Sequence, residues 1–486
     1  MIARTRMHRR TRLLPKALTG IRGLDEVTAG GLPRGRTTLV VGGAGSGKSL
    51  LALEFLARAA ADLGEPGVIL SFDEPFDELA ANAASIGLDL RALRARGLLA
   101  TDFAEVERSE TGESGPYDLG GLFIRLDQAI DAVGAKRVVI DSVDTLFAGF
   151  ESPAILRTEL RRLFRWLKAK GVTSVVTAER GTDGLTRHGI EEYVSDCVVV
   201  VDHRVTAQTA TRRLRVVKYR GSRHGTNEYP FLINDTGISV LPITSLGLPR
   251  TASKERISSG VPGLDALLEA RGFYRGSSIV VTGTAGTGKS TIAARFADAA
   301  CRRGERCLYI GFEEAESEIL RNLRSVGLRL DPWKARGKLR IVTAPATTWG
   351  IERHLAEIDK QVEEFQPQVV VLDPISSLVS VGDATEVRAL LARLVDVMKH
   401  RQTTTLCTDL APGGSRDDAT GLLLSSLADV WIVLRNTPFS HERGREVCIL
   451  KARGMAHATG VHELRLGPRG VEIRKRGNGA ARSGKA

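Results

Sequence analysis

The sequence contains two short glycine-rich stretches, GGAGSGKS at residues 42–49 and GTAGTGKS at residues 283–290. Both fit the pattern G-x-x-x-x-G-K-[S/T]. Each follows a β-branched run and opens a helix-like run, which is the context that this pattern requires. Its glycines let backbone N–H groups converge on phosphate oxygens, and the helix that follows adds the positive end of its dipole. The two stretches therefore predict two phosphate-binding loops.

In such a loop the lysine reaches the terminal phosphates and the next hydroxyl binds magnesium. These roles fall on Lys48 and Ser49 in the first loop and on Lys289 and Ser290 in the second. The other predicted nucleotide-binding residues of the loops are Gly45, Ser46 and Gly47, and Gly286, Thr287 and Gly288. The sequence thus predicts that a nucleoside triphosphate binds with Mg²⁺ at two places.

The loops belong to a long internal repeat. Residues 20–58 resemble residues 260–299, and the likeness returns in order in RVVIDSVDTLF and VVVLDPISSLV, and again in KYRG and KARG. The separation is 241 residues for the loop lysines (289 − 48), 232 for the aspartates (373 − 141) and 233 for the later lysines (451 − 218). Two copies of one domain therefore follow each other along the chain.

Within each copy, β-branched runs alternate with stretches rich in Ala, Leu and Arg. This pattern favours an α/β fold in which helices flank a mostly parallel sheet. We expect a basic tail over 1–16, a first domain over 17–245, a linker over 246–254, a second domain over 255–473 and a short basic tail over 474–486.

Composition indicates a folded chain without membrane association. The 486 residues suffice for two or more domains, and 42% of them are hydrophobic. No apolar run reaches the roughly 18 residues of a membrane helix, and the basic start MIARTRMHRRTR has no apolar segment behind it. We therefore expect a cytoplasmic protein.

Cysteine content and charge argue against two further classes of site. The five cysteines include no CxxC pair, which predicts buried free thiols rather than a zinc site or disulfides. The formal net charge of +12 lies largely at the two ends, in RTRMHRRTR and RKRGNGAARSGKA. Solvated basic tails explain this charge, so nucleic acid is not an expected partner.

Carboxylates follow two strands in each copy. Asp141 and Asp373 end apolar strands, a position from which a carboxylate holds magnesium through its water shell. Phosphoryl transfer also needs a group that orients or deprotonates the nucleophile. The candidates for this catalytic role follow the strand after each loop helix and are Asp73 and Glu74, and Glu313 and Glu314.

Together these motifs resemble the KaiC family, a branch of the RecA-like P-loop ATPases. The likeness covers about residues 17 to 473, and the stretches GIEEYVSDCVVVV, KYRGSRHGTNEYPF and FEE are specific to that branch. The resemblance implies two tandem RecA-like domains in a homohexamer with ATP between subunits. It also implies a slow ATPase in the first domain and a serine autokinase in the second, which together act as a phosphorylation-state switch or timer.

The resemblance implies further nucleotide-binding residues that act on the ATP of a neighbouring subunit. They are Lys218, Arg220 and His224 in the first domain, and Lys451, Arg453 and His457 in the second. A lysine and an arginine two apart on a strand point to the same face, which suits them to clamp a triphosphate together. Asp235 is expected near the first nucleotide, and Pro468 stands at the matching position of the second copy.

The chain departs from the family at two places that bear on mechanism and partners. Asp73 stands where the family has a glutamate, so the longer Glu74 is the favoured activator of water. After Ile473 only a short tail follows, whereas cyanobacterial members have a longer tail that receives the activator KaiA. We therefore do not expect a KaiA-type partner, and the candidate partners are a KaiB-like protein and a signalling histidine kinase.

Ser425 and Ser426 are adjacent hydroxyls in TGLLLSSLADVWIVL, residues 420–434. An alignment of residues 195–196 with residues 428–429 sets Glu192 and Tyr193 of the first copy opposite these serines, so only the second copy has the hydroxyl pair. In the KaiC family this is the position of two neighbouring phosphorylated residues. The resemblance thus implies autophosphorylation at Ser425 and Ser426.

Two other functions remain open on the sequence. One is a nucleotide-gated scaffold that signals by changing shape without significant kinase activity. The other is a RecA-like DNA-dependent ATPase, which fold kinship suggests but cannot establish. Phosphate on the purified protein would exclude the first alternative, and strong salt-sensitive DNA binding would be needed to support the second.

Overall fold

The computed structural model describes residues 14–104, 120–147, 153–181, 184–186, 189, 191–206, 209–241, 252–380, 384–411, 427–438, 443–467 and 470–475. The chain forms two compact units, one that reaches to Ser245 and one that begins at Leu246. Ser425, Ser426 and Pro468 lie outside the described residues.

The first unit contains a nine-stranded sheet, a separate two-stranded sheet and flanking helices. Its strands are β1 (Lys16–Ala17), β2 (Leu32–Pro33), β3 (Thr37–Gly42), β4 (Gly67–Ser71), β5 (Leu99–Phe103), β6 (Arg137–Asp141), β7 (Thr173–Glu179), β8 (Cys197–Thr206), β9 (Thr209–Tyr219), β10 (Tyr229–Asn234) and β11 (Gly237–Val240). Its helices are α1 (Leu24–Val27), α2 (Lys48–Asp62), α3 (Phe76–Ala84), α4 (Leu90–Ala95), α5 (Gly120–Val133), α6 (Val143–Phe147), α7 (Pro153–Ala169) and α8 (Glu191–Val194). The sheet order is β5-β4-β6-β7-β3-β8-β9-β10-β11, and β1 pairs with β2 separately.

The second unit repeats this arrangement. Its strands are β12 (Arg256–Ile257), β13 (Phe273–Tyr274), β14 (Ser278–Gly283), β15 (Cys307–Gly311), β16 (Leu339–Thr343), β17 (Val369–Asp373), β18 (Thr404–Leu410), β19 (Val430–Pro438), β20 (Arg443–Ala452), β21 (His462–Gly467) and β22 (Gly470–Lys475). Its α-helices are α9 (Pro262–Ala266), α10 (Lys289–Arg302), α11 (Glu316–Ser325), α12 (Asp331–Ala335), α13 (Ile351–Phe365) and α14 (Ala384–His400), and two 3-10 helices span Ala346–Thr348 and Ile375–Ser380. The order β16-β15-β17-β18-β14-β19-β20-β21-β22 matches the first sheet strand for strand.

Six strands of each sheet run parallel, and the last three turn antiparallel after β8 and β19. The parallel strands are continuous apolar runs because helices cover both of their faces. In the first unit, α2 packs Leu51 and Phe55 against one face, whereas α7 packs Leu160 and Leu163 against the other. The predicted fold class, two tandem α/β domains with mostly parallel sheets, is therefore confirmed.

Two further expectations concern thiols and membranes. All five cysteines are buried and free, as the sequence predicts. None of the helices in the described part of the chain combines the length and the apolar character that a membrane crossing requires.

Candidate nucleotide-binding sites

Each glycine-rich loop connects the central strand of its sheet to the helix that follows. Gly47 directly precedes α2 with a φ of 95°, and Gly288 precedes α10 with a φ of 98°. A Cβ at Gly47 would lie 2.7 Å from Cδ1 of Ile233, and one at Gly288 would lie 2.7 Å from Cδ1 of Leu466. Both the backbone conformation and the space thus require glycine at these positions.

The strand-end aspartates contact the loop hydroxyls. Ser290 Oγ donates a 3.1 Å hydrogen bond to Asp373 Oδ1, and Ser49 bonds Asp141 in the first unit. Burial raises the pKa of Asp141 above its ordinary value, although the hydrogen bonds from Thr177 and Ser49 oppose this shift. The two residue types predicted to hold magnesium therefore lie together in both units.

The second loop lysine is largely buried. Lys289 Nζ donates hydrogen bonds to the carbonyls of Gly283 at 2.8 Å and Thr284 at 2.9 Å. Burial lowers the pKa of Lys289, and the negative charges of Asp373, Asp409 and Glu313 oppose this shift. The ammonium group of Lys289 is thus held by carbonyls of its own loop and interacts with the charge of the strand-end carboxylate Asp373.

A cleft of about 340 Å³ opens beside the first loop. Its wall is formed by the loop itself, by the first half of α2, and by residues in or beside α3, β9 and β10. The lining residues are Gly43, Gly45, Gly47, Lys48, Ser49, Leu50, Leu53, Glu74, Asn82, Ser85, Arg212 and Ile233. The volume lies in the range of small-molecule sites.

The four candidate catalytic acids have matching partners in the two units. The first acid of each pair accepts from a hydroxyl near the strand-end aspartate: Thr145 Oγ1 bonds Asp73 at 2.7 Å, and Ser377 Oγ bonds Glu313 at 2.6 Å. The second acid accepts from an asparagine of the next helix, since Asn82 bonds Glu74 at 2.8 Å and Asn322 bonds Glu314 at 3.2 Å. Only Glu74 of the first pair lines the cleft.

Lys218 and Arg220 lie at the carboxyl end of β9, away from the first-site cleft. Lys218 Nζ donates to the carbonyl of Glu192 at 2.7 Å, and an Arg220 Nη donates to that of Tyr193 at 3.1 Å. Burial lowers the pKa of Lys218, and the positive charge of Arg220 adds to the effect. Both cations therefore contact the segment that aligns with Ser425 and Ser426.

The second unit places Lys451 and Arg453 in the same way on β20 and just beyond it. Arg453 lies 3.8 Å from the carboxylate of Asp429, which also binds Lys399 at 2.7 Å. His224 is half-buried and stacks on Tyr219 with a centroid distance of 6.2 Å.

His457 is half-buried, and Asp235 is exposed in the turn between β10 and β11. That turn follows Ile233, which lines the first cleft. Asp235 thus follows a residue of the cleft wall by two positions but does not itself line the cleft.

Sequence reasoning missed two arginines that contact the loops. Arg212 Nε contacts the carbonyl of Gly45 at 3.4 Å, and Arg445 Nε donates to that of Gly286 at 3.0 Å. The two arginines are 233 residues apart (445 − 212), the separation of Lys218 and Lys451. That shared separation was the available signal, whereas the strand register that aims the arginines at the loops is not readable from local sequence.

The sequence was compared with a family model and with known proteins. The model of the family described as "ATPase: KaiC" matches residues 17–245 and again residues 257–478. A circadian clock protein KaiC2 from Synechocystis sp. is 50% identical over 95% of this chain and 81% of its own length. A circadian clock oscillator protein KaiC from Parathermosynechococcus lividus is 34% identical over 95% and 86%, and a circadian clock protein KaiC3 from Synechocystis sp. is 34% identical over 95% and 92%. The chain therefore belongs to the KaiC family of ATPases, with the ATPase domain present twice.

Proposed function

We propose that the first repeat hydrolyses ATP and that the second transfers the terminal phosphate of ATP to serines of the chain itself. The observation that carries the proposal is the contact between loop hydroxyl and strand-end aspartate, Ser290 with Asp373 and Ser49 with Asp141. Beside each contact lie a loop lysine and a pair of acids. These are the groups that phosphoryl transfer uses to hold, neutralise and activate its reactants.

The donor set fits Mg²⁺ in both repeats. Hydroxyl and carboxylate oxygens are the protein ligands that this ion prefers, and Ser49 with Asp141, or Ser290 with Asp373, would hold it. When bound, Mg²⁺ neutralises charge on the phosphate oxygens. Lys48 and Lys289 would bind the terminal phosphates directly.

The acid pairs supply the activation of the nucleophile. In the first repeat Glu74 would orient water toward the terminal phosphorus, and Asp73 is the alternative. In the second repeat Glu313 or Glu314 would accept the proton of the serine hydroxyl. The serine oxygen then bonds the terminal phosphorus, the bond from that phosphorus to the oxygen of the leaving diphosphate breaks, and ADP departs.

We place the sites at the boundaries of a homohexamer. Lys218, Arg220 and His224, and likewise Lys451, Arg453 and His457, would reach the ATP of a neighbouring subunit. The support is the location of Lys218, near the end of β9, and of Arg220, just beyond it: neither lines the cleft of its own repeat, and both contact the segment at Glu192 and Tyr193. Such a ring would present a KaiB-like protein or a signalling histidine kinase with a surface that depends on bound nucleotide.

Ser425 and Ser426 are the proposed acceptors. In the first repeat the aligned segment, at Glu192 and Tyr193, lies against Lys218 and Arg220. The matching cations of the second repeat are Lys451 and Arg453, so a phosphate on either serine would add about −1.5 to −2 charges near them. Phosphorylation would in this way couple the acceptor segment to the subunit boundary.

Mass spectrometry of the intact protein, which counts phosphates, and of its proteolytic peptides, which locates them, tests the proposal after incubation with Mg-ATP. We expect phosphate on residues 420–434 of the unsubstituted protein and none on Lys289→Ala protein. The Ser425→Ala/Ser426→Ala variant should label far less while it still binds ATP. A chain that hydrolyses ATP but carries no phosphate would support the nucleotide-gated scaffold instead.

A further inference from the structure

The buried phenol of Tyr309 donates a hydrogen bond to Asp373 Oδ2 in the second repeat. Tyr309 is only 1% exposed and lies in the middle of β15. The phenol is therefore a buried donor to this carboxylate.

Strand register explains how the two side chains meet. On the parallel pair of β15 and β17, Tyr309 lies opposite Val371 and Gly311 lies opposite Asp373. Tyr309 and Asp373 are thus diagonal neighbours on one face of the sheet, within reach of a long aromatic side chain. The phenol extends along the sheet toward the end of β17.

The first repeat has no donor at the matching place. Ile69 lies opposite Val139 on β4 and β6, and Ser71 lies opposite Asp141, so Ile69 has the register position of Tyr309. An isoleucine side chain donates no hydrogen bond. The phenol is therefore a feature of the second repeat alone.

Apart from Tyr309, the hydroxyl donors to Asp373 in the second repeat match those to Asp141 in the first. Asp373 Oδ1 accepts from Ser290 and Thr408, and Asp141 accepts from Ser49 and Thr177. Tyr309 adds a donor to the second carboxylate oxygen of Asp373 and so fixes its rotation. The second aspartate is held at both oxygens by hydroxyls from three separate elements.

We propose that Tyr309 is a positioning residue that holds Asp373 ready for the metal–nucleotide complex, so that the two repeats bind their metal with different affinity. The inference rests on the proposed function, because it presumes that Asp373 acts on a metal. Tyr309 acts through Asp373 and touches neither nucleotide nor metal itself. Residues in this supporting position typically contribute 10- to 100-fold to metal affinity.

Mn²⁺ binding followed by electron paramagnetic resonance tests this in the full-length protein. The titration is made at a saturating concentration of a non-hydrolysable ATP analogue. In Tyr309→Phe protein, which keeps the aromatic ring, we expect the Mn²⁺ sites of the second repeat to weaken about 10-fold and those of the first to remain unchanged. A Lys289→Ala sample identifies which sites belong to the second repeat.

Two measurements separate positioning from a general structural effect. Binding of the analogue without divalent ions should be equal in Tyr309→Phe and unsubstituted protein, and Tyr219→Phe, which removes a buried hydroxyl of the first repeat, should leave the second-repeat Mn²⁺ sites unchanged. Unchanged Mn²⁺ affinity in Tyr309→Phe, or an equal loss with and without metal, overturns the inference alone. Failure of the unsubstituted protein to bind Mn²⁺ with the analogue overturns the proposed function as well.

Discussion

Asn82 donates a 2.8 Å hydrogen bond to Glu74 on the wall of the first-site cleft. One residue earlier, Asp73 accepts from Thr145 and lies close enough to Asp141 for their charges to interact. The two neighbouring acids therefore face different groups. Asp73 faces the strand-end carboxylate, whereas Glu74 faces the cleft.

The first prediction concerns hydrolysis. Glu74→Gln should keep ATP binding and lower the ATPase rate of the first repeat about 100-fold, because the amide cannot accept a proton from water. The rate is measured in a Lys289→Ala background, so that only the first repeat contributes. Full activity in Glu74→Gln together with loss of activity in Asp73→Asn would move the role to Asp73.

The second prediction concerns binding stoichiometry. Lys48→Ala and Lys289→Ala should each remove one of two ATP sites per chain, since each deletes a charge-assisted contact to phosphate. Equilibrium dialysis with radiolabelled ATP counts the sites. Lys170→Ala is the control, because Lys170 pairs with Asp127 at the surface. Two sites in either loop variant would contradict the assignment of that lysine.

The third prediction tests the arginine that sequence reasoning missed. Arg212→Ala should weaken nucleotide binding in the first repeat about 10-fold, which corresponds to about 1.4 kcal/mol, because Arg212 lines the cleft and braces the loop at Gly45. Fluorescent-nucleotide titration measures the change. Arg213→Ala should have little effect, since Arg213, the next residue on β9, pairs with Glu228 instead. Equal losses in both variants would point to a general charge effect.

The fourth prediction concerns assembly. Mg-ATP should shift the protein toward a hexamer by mass action, and Arg220→Ala should raise the protein concentration at which the hexamer forms. Light scattering coupled to size exclusion measures both. Arg223→Ala, an exposed substitution on the same loop, is the matched control. A monomer at micromolar protein with Mg-ATP would rule out the ring.

The fifth prediction concerns pH. Burial raises the pKa of Asp409 to about 6, and Lys289 opposes the shift. An unfolded aspartate ionises near pH 3.9, so the stability that Asp409 contributes is fully present below about pH 4 and is lost as pH rises through about 6. As pH rises from 5 to 8, the free energy of unfolding of Asp409→Asn protein should therefore increase by roughly 1 to 3 kcal/mol relative to that of the unsubstituted protein.

Calorimetric melting without nucleotide at these two pH values checks the difference. Asp331→Asn is the control, because Asp331 is bound by Arg324 near the surface and its pKa is lowered. A lowered pKa places the loss of stability below about pH 4, outside the window, so this variant should show no relative change. Parallel behaviour of Asp409→Asn and unsubstituted protein would contradict the prediction.

The sequence predicted the parts of the molecule that depend on local pattern. The loops around Lys48 and Lys289 require glycines at fixed spacing, and the strands that end at Asp141 and Asp373 are continuous apolar runs. Because the chain contains each pattern twice, the repeat itself revealed the two α/β domains. Family membership then followed from the same motifs.

The parts that were missed depend on register between distant strands. Nothing near Tyr309 in the sequence indicates that its phenol meets Asp373, and nothing near Arg212 indicates that it faces the loop at Gly45. The choice between Asp73 and Glu74 likewise turns on Thr145 and Asn82, which approach from different elements. The domain limits, the residues that act between subunits and the phosphorylation of Ser425 and Ser426 stay predictions.

The buried cysteines also have a consequence for redox chemistry. Burial raises the pKa of Cys197, Cys301 and Cys407 to about 12 in each case, so the folded chain presents almost no thiolate from these residues to an oxidant or an alkylating reagent. Alkylation of Cys197 would report opening of the first repeat, and alkylation of Cys407 would report opening of the second.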